Sequence, residues 1–328
     1  MKLSRREFVL GAAGACAATL LPALAEAGNF PERPLRLIVP FAPGGNVDAT
    51  ARVVSAGLTD ALHASAVVEN KPGAGGSIGA DMVVRSPADG YTLLVGSNGP
   101  LTVNPFIQAH LPYEPMRDFA PVAMFGYVPH VIVVNPAIPA RNMAELIALS
   151  KQRHINTGTS GIGSATHLTL LRFNSQSGAQ LVHVPYRGGG ALIPDLLGGS
   201  LDATMTEFST VLPLLRANKV RVIAVASEQR MALAPEIPTF IEAGIPKFIA
   251  SSYVGLLAPA KTPAPVIASL QQGVAASLDN AALAGKLNDL GVVAASAQQR
   301  TAAGFGAFLH NEFQTARQAV ALAGIKPE

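Results

Sequence analysis

The chain has 328 residues, 49% hydrophobic and 14% charged, with no tryptophan and a single cysteine. That length can hold two domains around a large core, and the composition suits an α/β protein packed with Ala, Val, Leu and Ile. A net charge of +3 gives no electrostatic footprint for nucleic acid, so nucleic-acid binding is not expected.

Residues 1–27 read as an address rather than as structure. Ser4-Arg5-Arg6-Glu7-Phe8-Val9-Leu10 is a twin-arginine pattern, and the apolar stretch from Val9 to Leu24 is short for a membrane span. Ala25-Glu26-Ala27 is an A-x-A cleavage site, so the mature chain is expected to start at Gly28, exported to the periplasm and soluble. Cys16 invites a lipoprotein reading, but Ala13 stands where leucine is usual and cleavage there would halve the apolar run. Cleavage near Ala27 removes Cys16 and with it all thiol, disulfide and Cys-based metal chemistry.

Leu35 to Val39 is a short apolar run of the kind that makes a buried parallel strand. Pro40 and Pro43 stop sheet pairing, Gly44-Gly45 permits a tight turn, and Asn46 to Leu58 has helical spacing with Asp48 in the first turn. In an open α/β sheet, such a strand–loop–helix unit points backbone N–H groups into a crevice, where an anion can rest. Ala66 to Glu69 reads as a second strand, followed by a glycine-rich loop and a helix through Arg85. Tyr91 to Gly96 is another strand, with Ser97-Asn98-Gly99-Pro100 as a second strand-end loop. This alternation predicts βαβ units on a mainly parallel sheet.

Phe119 to Asn135 contains two strand-like halves broken at Gly126 to Pro129, as expected of a segment crossing between domains. Asn142-Met-Ala-Glu145 opens a helix with a capping box. A second α/β series follows, with strands near 155–157, 182–184, 202–206 and 220–226, and helices from Thr159 and near 191–197. Phe248 to Ala258 is a second candidate crossing, and from Pro263 the pattern is helical. Two crossings imply a first domain of 28–125 plus 254–328 with a second, 126–253, inserted into it.

Taken together, these stretches resemble the Bug-type periplasmic solute-binding receptors of tripartite tricarboxylate transporters. The matching pieces are Pro31-Glu-Arg-Pro-Leu-Arg-Leu-Ile-Val-Pro-Phe-Ala-Pro-Gly-Gly45 with Asp48 and Arg52, then Glu69-Asn-Lys-Pro-Gly-Ala-Gly-Gly-Ser-Ile-Gly79 and Pro87-Ala-Asp-Gly-Tyr-Thr-Leu-Leu-Val-Gly96. Val184-Pro-Tyr-Arg-Gly-Gly189, Asp195-Leu-Leu-Gly-Gly199 with Asp202, Pro235-Glu-Ile-Pro-Thr239, Glu242-Ala-Gly244 and Ala258-Pro-Ala-Lys-Thr-Pro263 follow in family order. One departure is Ser252-Tyr253, where the family more often has a tryptophan. The resemblance implies a two-domain type II periplasmic-binding-protein fold. Each domain is a mainly parallel sheet flanked by helices, and two crossing segments join them. It also implies capture of a small organic carboxylate (mono-, di- or tricarboxylate, amino acid or aromatic acid) for delivery to the transporter's membrane subunits. Docking on a sensor kinase is the alternative within the binding class.

An anion held without a fixed countercharge favours backbone N–H groups, hydroxyls and ordered water. Phe41, Ala42 and Gly45 can supply donors in the first domain, with Ser97 and Asn98 in the neighbouring loop; Asp48 is either a ligand contact or a first-turn acid offsetting the helix dipole. In the second domain Thr159, Ser160 and Ser164 bring hydroxyls, Gly161 and Gly163 allow close backbone approach, and His167 lies one turn into the helix. Helix capping is the plain alternative for the hydroxyls. Tyr186, Arg187 and Gly188 follow a strand, where Arg187 could pair with a distal carboxylate. Thr206 and Glu207 close the next strand, and Glu207 would repel an anion unless it faces an amine.

Catalytic patterns are poor. Gly158-Thr-Ser160-Gly-Ile162 lacks the last glycine of a nucleophile elbow, so a secreted hydrolase using Ser160 or Ser164 is the remote reading. The seven histidines show no metal spacing, and Gly73 to Gly79 is neither a dinucleotide fingerprint nor a Walker motif. No enzyme activity, cofactor or metal is expected.

Overall fold

The apolar run beginning at Leu35 becomes strand β1 (Leu35–Val39), buried at every position except Arg36. The computed structural model describes residues 30–322; the export signal, Cys16 and the cleavage site lie outside the described residues. After β1 come α1 (Asn46–Leu62), β2 (Ala66–Asn70), α2 (Ser77–Val84) and β3 (Thr92–Gly96). The expected loop at Ser97–Pro100 is instead a helix start: a π-helical turn over Gly99–Val103 runs into α3 (Asn104–Ile107). A short α4 (Pro115–Asp118) leads to β4 (Phe119–Val134).

The second series runs α5 (Met143–Gln152), β5 (Ile155–Thr159), α6 (Ala165–Ser177), β6 (Leu181–Pro185) and α7 (Ile193–Gly198). It continues through β7 (Ala203–Glu207), α8 (Phe208–Arg216) and β8 (Arg221–Val225). The capping box at α5 forms, with the Asn142 side chain accepting the Glu145 N–H at 2.9 Å. The chain then returns through β9 (Ser251–Pro259), α9 (Ala264–Asp279), α10 (Ala281–Asp289), β10 (Val293–Ala294) and α11 (Ala302–Leu322).

The strands lie in the order β2-β1-β3-β9-β4-β7-β5-β6, with β8 and β10 also on β4. β1 pairs in parallel with β2 and β3, and β5 in parallel with β6 and β7. Between these parallel sets, β9 and β4 run antiparallel and join two sheet halves into one structure. β4 pairs with β9 from Phe119 to Pro129 and with β7 from His130 to Val134, so it changes partners at Pro129–His130. It is one strand, not the two broken halves expected from Gly126 and Pro129. Gly126 stays within the strand, paired with β10, which approaches so closely that a Cβ there would strike the Val293 carbonyl.

Each half has its own core. Phe173, Phe240 and Phe248 anchor the second, with Phe240 and Phe248 stacked at 4.7 Å. In the first, Tyr253 packs edge-on to Phe305 and Phe308 at centroid distances of 6.3 and 5.2 Å.

Candidate functional site

The loops that follow the parallel strands of both halves meet over one small cavity. Its lining comes from the β1–α1 loop (Phe41, Gly45, Asn46, Val47), the end of β3 (Ser97, Gly99), the β5–α6 loop (Ser160, Ser164, Ala165), Gly189, Glu207 and Ser252. This is the carboxyl edge of an α/β sheet, where helix N-termini and their unpaired N–H groups converge. α1 has no side-chain cap at Gly45, so its first N–H groups stay available for an anion. Two lining side chains have buried polar atoms without a hydrogen-bond partner among the described residues, Asn46 Nδ2 and Ser160 Oγ. A buried polar group is normally paired, so these two donors stand out in the lining as unsatisfied.

The halves are pressed together in this structure. Ala42 N–H donates to the Arg187 carbonyl at 2.9 Å, and Ser209 Oγ donates to Asn46 Oδ1 at 3.3 Å. A Cβ on Gly45 would lie 3.3 Å from Gly190 N, and one on Gly188 2.8 Å from Ala42 N, so glycine lets the two backbones touch. The enclosed space is about 10 Å³, room for about one water. Phe41 and Ser160 also border an outer cavity of about 220 Å³ at the mouth, where Gly161, Tyr186 and Arg187 stand. A wider depression among the described residues, about 830 Å³ around Arg141, Arg221 and Glu242, lies on the second half and shares no lining residue with the inner cavity.

The expected site residues therefore separate. Phe41, Gly45, Ser97, Ser160, Ser164 and Glu207 line the inner cavity; Gly161, Tyr186 and Arg187 line the mouth; Ala42 and Gly188 make the contact between halves. Thr159 is buried below the loop, its Oγ1 2.8 Å from His183 Nε2, and Thr206 Oγ1 donates to Glu207 Oε2 at 3.2 Å. Ser164 caps α6 by accepting the His167 N–H at 3.1 Å, and Gly163 N–H donates to His167 Nδ1 at 3.3 Å. His167 and His183 stack at 4.0 Å; burial lowers both to about 4, with the neighbouring His183 adding to the effect on His167. Both rings are neutral near pH 7 and bring no cation. Asn98 turns toward the crossing strands, its Oδ1 accepting the Tyr253 N–H at 3.1 Å.

Asp48 is drawn into its own loop. Its carboxylate accepts Gly44 N–H at 3.0 Å, the Asn70 amide at 2.9 Å and a two-pronged Arg52 at 2.9 and 3.0 Å. Burial alone would raise this carboxyl, but Arg52, Gly44 and Asn70 outweigh it and hold it below the usual range. A carboxyl lowered in this way stabilises the fold above its unfolded range and loses that contribution as pH falls through the folded value. Asp48→Asn is expected to cost about 1–3 kcal/mol at neutral pH. The gap to wild type should close in acid, which melting curves across the acid range would read.

Sequence reasoning missed Asn46, Ser252 and Gly189. Asn46 follows the noted glycine pair and was legible as a first-turn donor; Ser252 lies 122 residues from the histidine it contacts and carried no local signal. His130, buried on β4, stands 2.8 Å from Ser252 Oγ through Nε2 and 2.8 Å from Thr169 Oγ1 through Nδ1. Burial, and secondarily the charge of Arg172, lower His130 to about 3. The ring is neutral near pH 7 and stands between two hydroxyls, with Thr169 rather than a carboxylate at its Nδ1. Neither Ser160 nor Ser164 hydrogen-bonds a histidine ring among the described residues.

A family model described as "Tripartite tricarboxylate transporter family receptor" matches residues 50–307. Protein BugT of Bordetella pertussis is 37% identical over 286 residues, covering 86% of this chain and 87% of that protein. Among solved structures, an R. palustris protein with adipate superposes with a TM-score of 0.87 at 31% identity, covering 91% of this chain and 100% of the other. The periplasmic binding protein BugD gives 0.87 at 30% identity with the same coverage. MatC of Rhodopseudomonas palustris with bound malate gives 0.85 at 30% identity, covering 89% and 100%.

Proposed function

Because the chain belongs to the tripartite tricarboxylate transporter receptor family, a family of periplasmic solute-binding proteins, we propose that it captures a small organic carboxylate between its sheet halves. It then delivers the solute to the membrane subunits of such a transporter. The observation that carries this reading is the inner cavity, whose lining includes Ser160 and Asn46, with buried, unpartnered Oγ and Nδ2, and the uncapped start of α1. One carboxylate sits there on Gly45, Asn46, Ser97 and Ser160, and the remainder of the solute extends past Phe41 to Tyr186 and Arg187 at the mouth. The adipate and malate carried by two of the structural relatives support this ligand class.

In this reading 28–125 with 254–328 forms one lobe and 126–253 the other, hinged where β4 and β9 cross. A space for about one water cannot admit a dicarboxylate, so the lobes must part before solute enters. Solute that contacts both lobes only when closed then favours closure by its differential affinity. The twin-arginine pattern and the cleavage expected near Ala27 support a working protein in the periplasm.

A melting-temperature screen against mono-, di- and tricarboxylates and amino acids tests this. A solute at about a hundred times its dissociation constant adds about 2.7 kcal/mol of stability. Ser160→Ala and Asn46→Ala each remove a hydrogen bond to a charged ligand group, worth about 1.5–3 kcal/mol, so each should weaken binding about 10- to 150-fold. A hit that both variants leave intact moves the site elsewhere. No hit from any carboxylate overturns the ligand class.

A further inference from the structure

We propose that Glu207 is the specificity-determining group of the inner cavity. It acts in its acid form, donating a hydrogen bond to the solute's carboxylate, so that the solute is bound together with one proton. This inference rests on the receptor reading above and deepens it.

Among the described residues lining the cavity, Glu207 alone is ionisable. It closes β7 and occupies the position just ahead of α8 without a side-chain capping bond, opposite His130 on β4 in the strand register. Its Oε1 accepts Ser252 Oγ–H at 3.0 Å and its Oε2 accepts Thr206 Oγ–H at 3.2 Å; both are neutral hydroxyls. The charged and titratable groups named on the neighbouring elements do not pair with it. His130 on β4 is buried and neutral and reaches Glu207 only through Ser252. Asp48 on α1 is occupied with Arg52 and Asn70. Arg172 on α6 donates to the Ile249 carbonyl at 3.3 Å and lies 5.0 Å from the centre of the Phe248 ring. Arg187, in the loop ahead of Gly189, is exposed at the mouth. No ion pair to Glu207 forms among the described residues.

A carboxylate without a cation, in a cavity that also receives a solute carboxylate, would set two like charges side by side. Burial accordingly pushes the Glu207 carboxyl up from its ordinary value. Closure adds to this burial. A Cβ on Gly189, in the same half as Glu207, would stand 3.3 Å from Glu207 Oε2, and Phe41, Gly45, Asn46 and Ser97 of the other half line the same cavity. When the halves part, water reaches the carboxyl and it ionises; when they close on a solute it takes a proton from solvent. Protonation converts an acceptor into a donor and turns repulsion into a hydrogen bond. It also explains how a cradle built from neutral donors keeps a glutamate at its centre, and why an ammonium on the solute is not required.

Calorimetric titration with adipate and with malate, in buffers of different ionisation heat from about pH 7 to about pH 9, where both acids are ionised, tests this. Wild type should take up close to one proton per solute, and its affinity should fall up to about tenfold per pH unit on the alkaline side. Glu207→Gln should abolish the uptake and flatten that slope, whereas Ser252→Ala, which keeps the carboxyl, should retain the uptake. An infrared carbonyl band of a protonated carboxyl, present in the solute complex of wild type and absent from Glu207→Gln, is the second readout. Binding with no proton uptake, or with equal uptake in Glu207→Gln, overturns the role of Glu207 and leaves the receptor reading standing. If neither acid binds any of the three proteins, the receptor reading for dicarboxylates falls, and this inference falls with it.

Discussion

Gly190→Ala is expected to weaken solute binding about 5- to 150-fold while lowering the melting temperature of the solute-free protein far less. Gly190 lies in the second-half loop that meets Pro43 to Gly45, and a Cβ there would strike the Pro43 carbonyl and stand 3.0 Å from Gly45 N. Its φ is not among the positive values, so alanine suits the local backbone. The methyl therefore clashes only when the halves meet. Crowding of this kind typically costs about 1–3 kcal/mol, and a penalty confined to the closed state appears as that coupling in affinity. Small-angle scattering should show wild type contracting with solute and Gly190→Ala contracting less or not at all. A variant that binds and contracts like wild type would show that these loops do not meet in the bound state.

The parallel strands and the first glycine loop were legible because their signals are local. Leu35–Val39, with Pro40 and Pro43 after it, matches the observed β1 to the residue. Six expected cavity residues lie at or just after four strand ends, where such loops leave an α/β sheet. What was missed depends on distance or competition. Pro213 sits inside α8 and reads as a breaker, so that helix went unseen, yet nine residues bury Phe208, Val211 and Leu212 well enough to hold it. Ser97-Asn98-Gly99-Pro100 reads as a turn by composition, but the segment winds into a helix whose Leu101 and Val103 are buried. Pro129 and Gly126 read as a break; β4 passes through both because β9 and β10 supply partners from far along the chain. Glu207 looked like a repulsive charge in the sequence. Only the fold shows that it is buried between two hydroxyls with no cation beside it.

The largest loss of stability should come from Phe173→Ala. Phe173 is fully buried on α6 and meets Phe240 and Phe248 edge-on, at centroid distances of 5.7 and 6.2 Å. Truncating a buried phenylalanine costs about 3–5 kcal/mol, because the surroundings close only part of the cavity. Here Phe240 and Phe248 are stacked on each other at 4.7 Å, and Phe248 also carries the Arg172 guanidinium, so neither ring can move freely into the gap. The cost should fall at the upper end of that range, a large share of the stability of a typical domain. On the scale of a 150–250-residue unit, about 4–5 kcal/mol lowers the melting temperature by roughly 8–20 °C. α6 also presents Ser164 and Ala165 to the cavity from its first turn, more than two turns from Phe173. Well below the new melting temperature, the dissociation constant should therefore stay near that of wild type. Phe173→Leu, which refills most of the volume, should recover more than half of the loss. A Phe173→Ala protein that melts within about 1 °C of wild type would mean that the trio collapses without a void. One that melts early and also loses affinity in the cold would mean that the aromatic core sets the position of the α6 N-terminus.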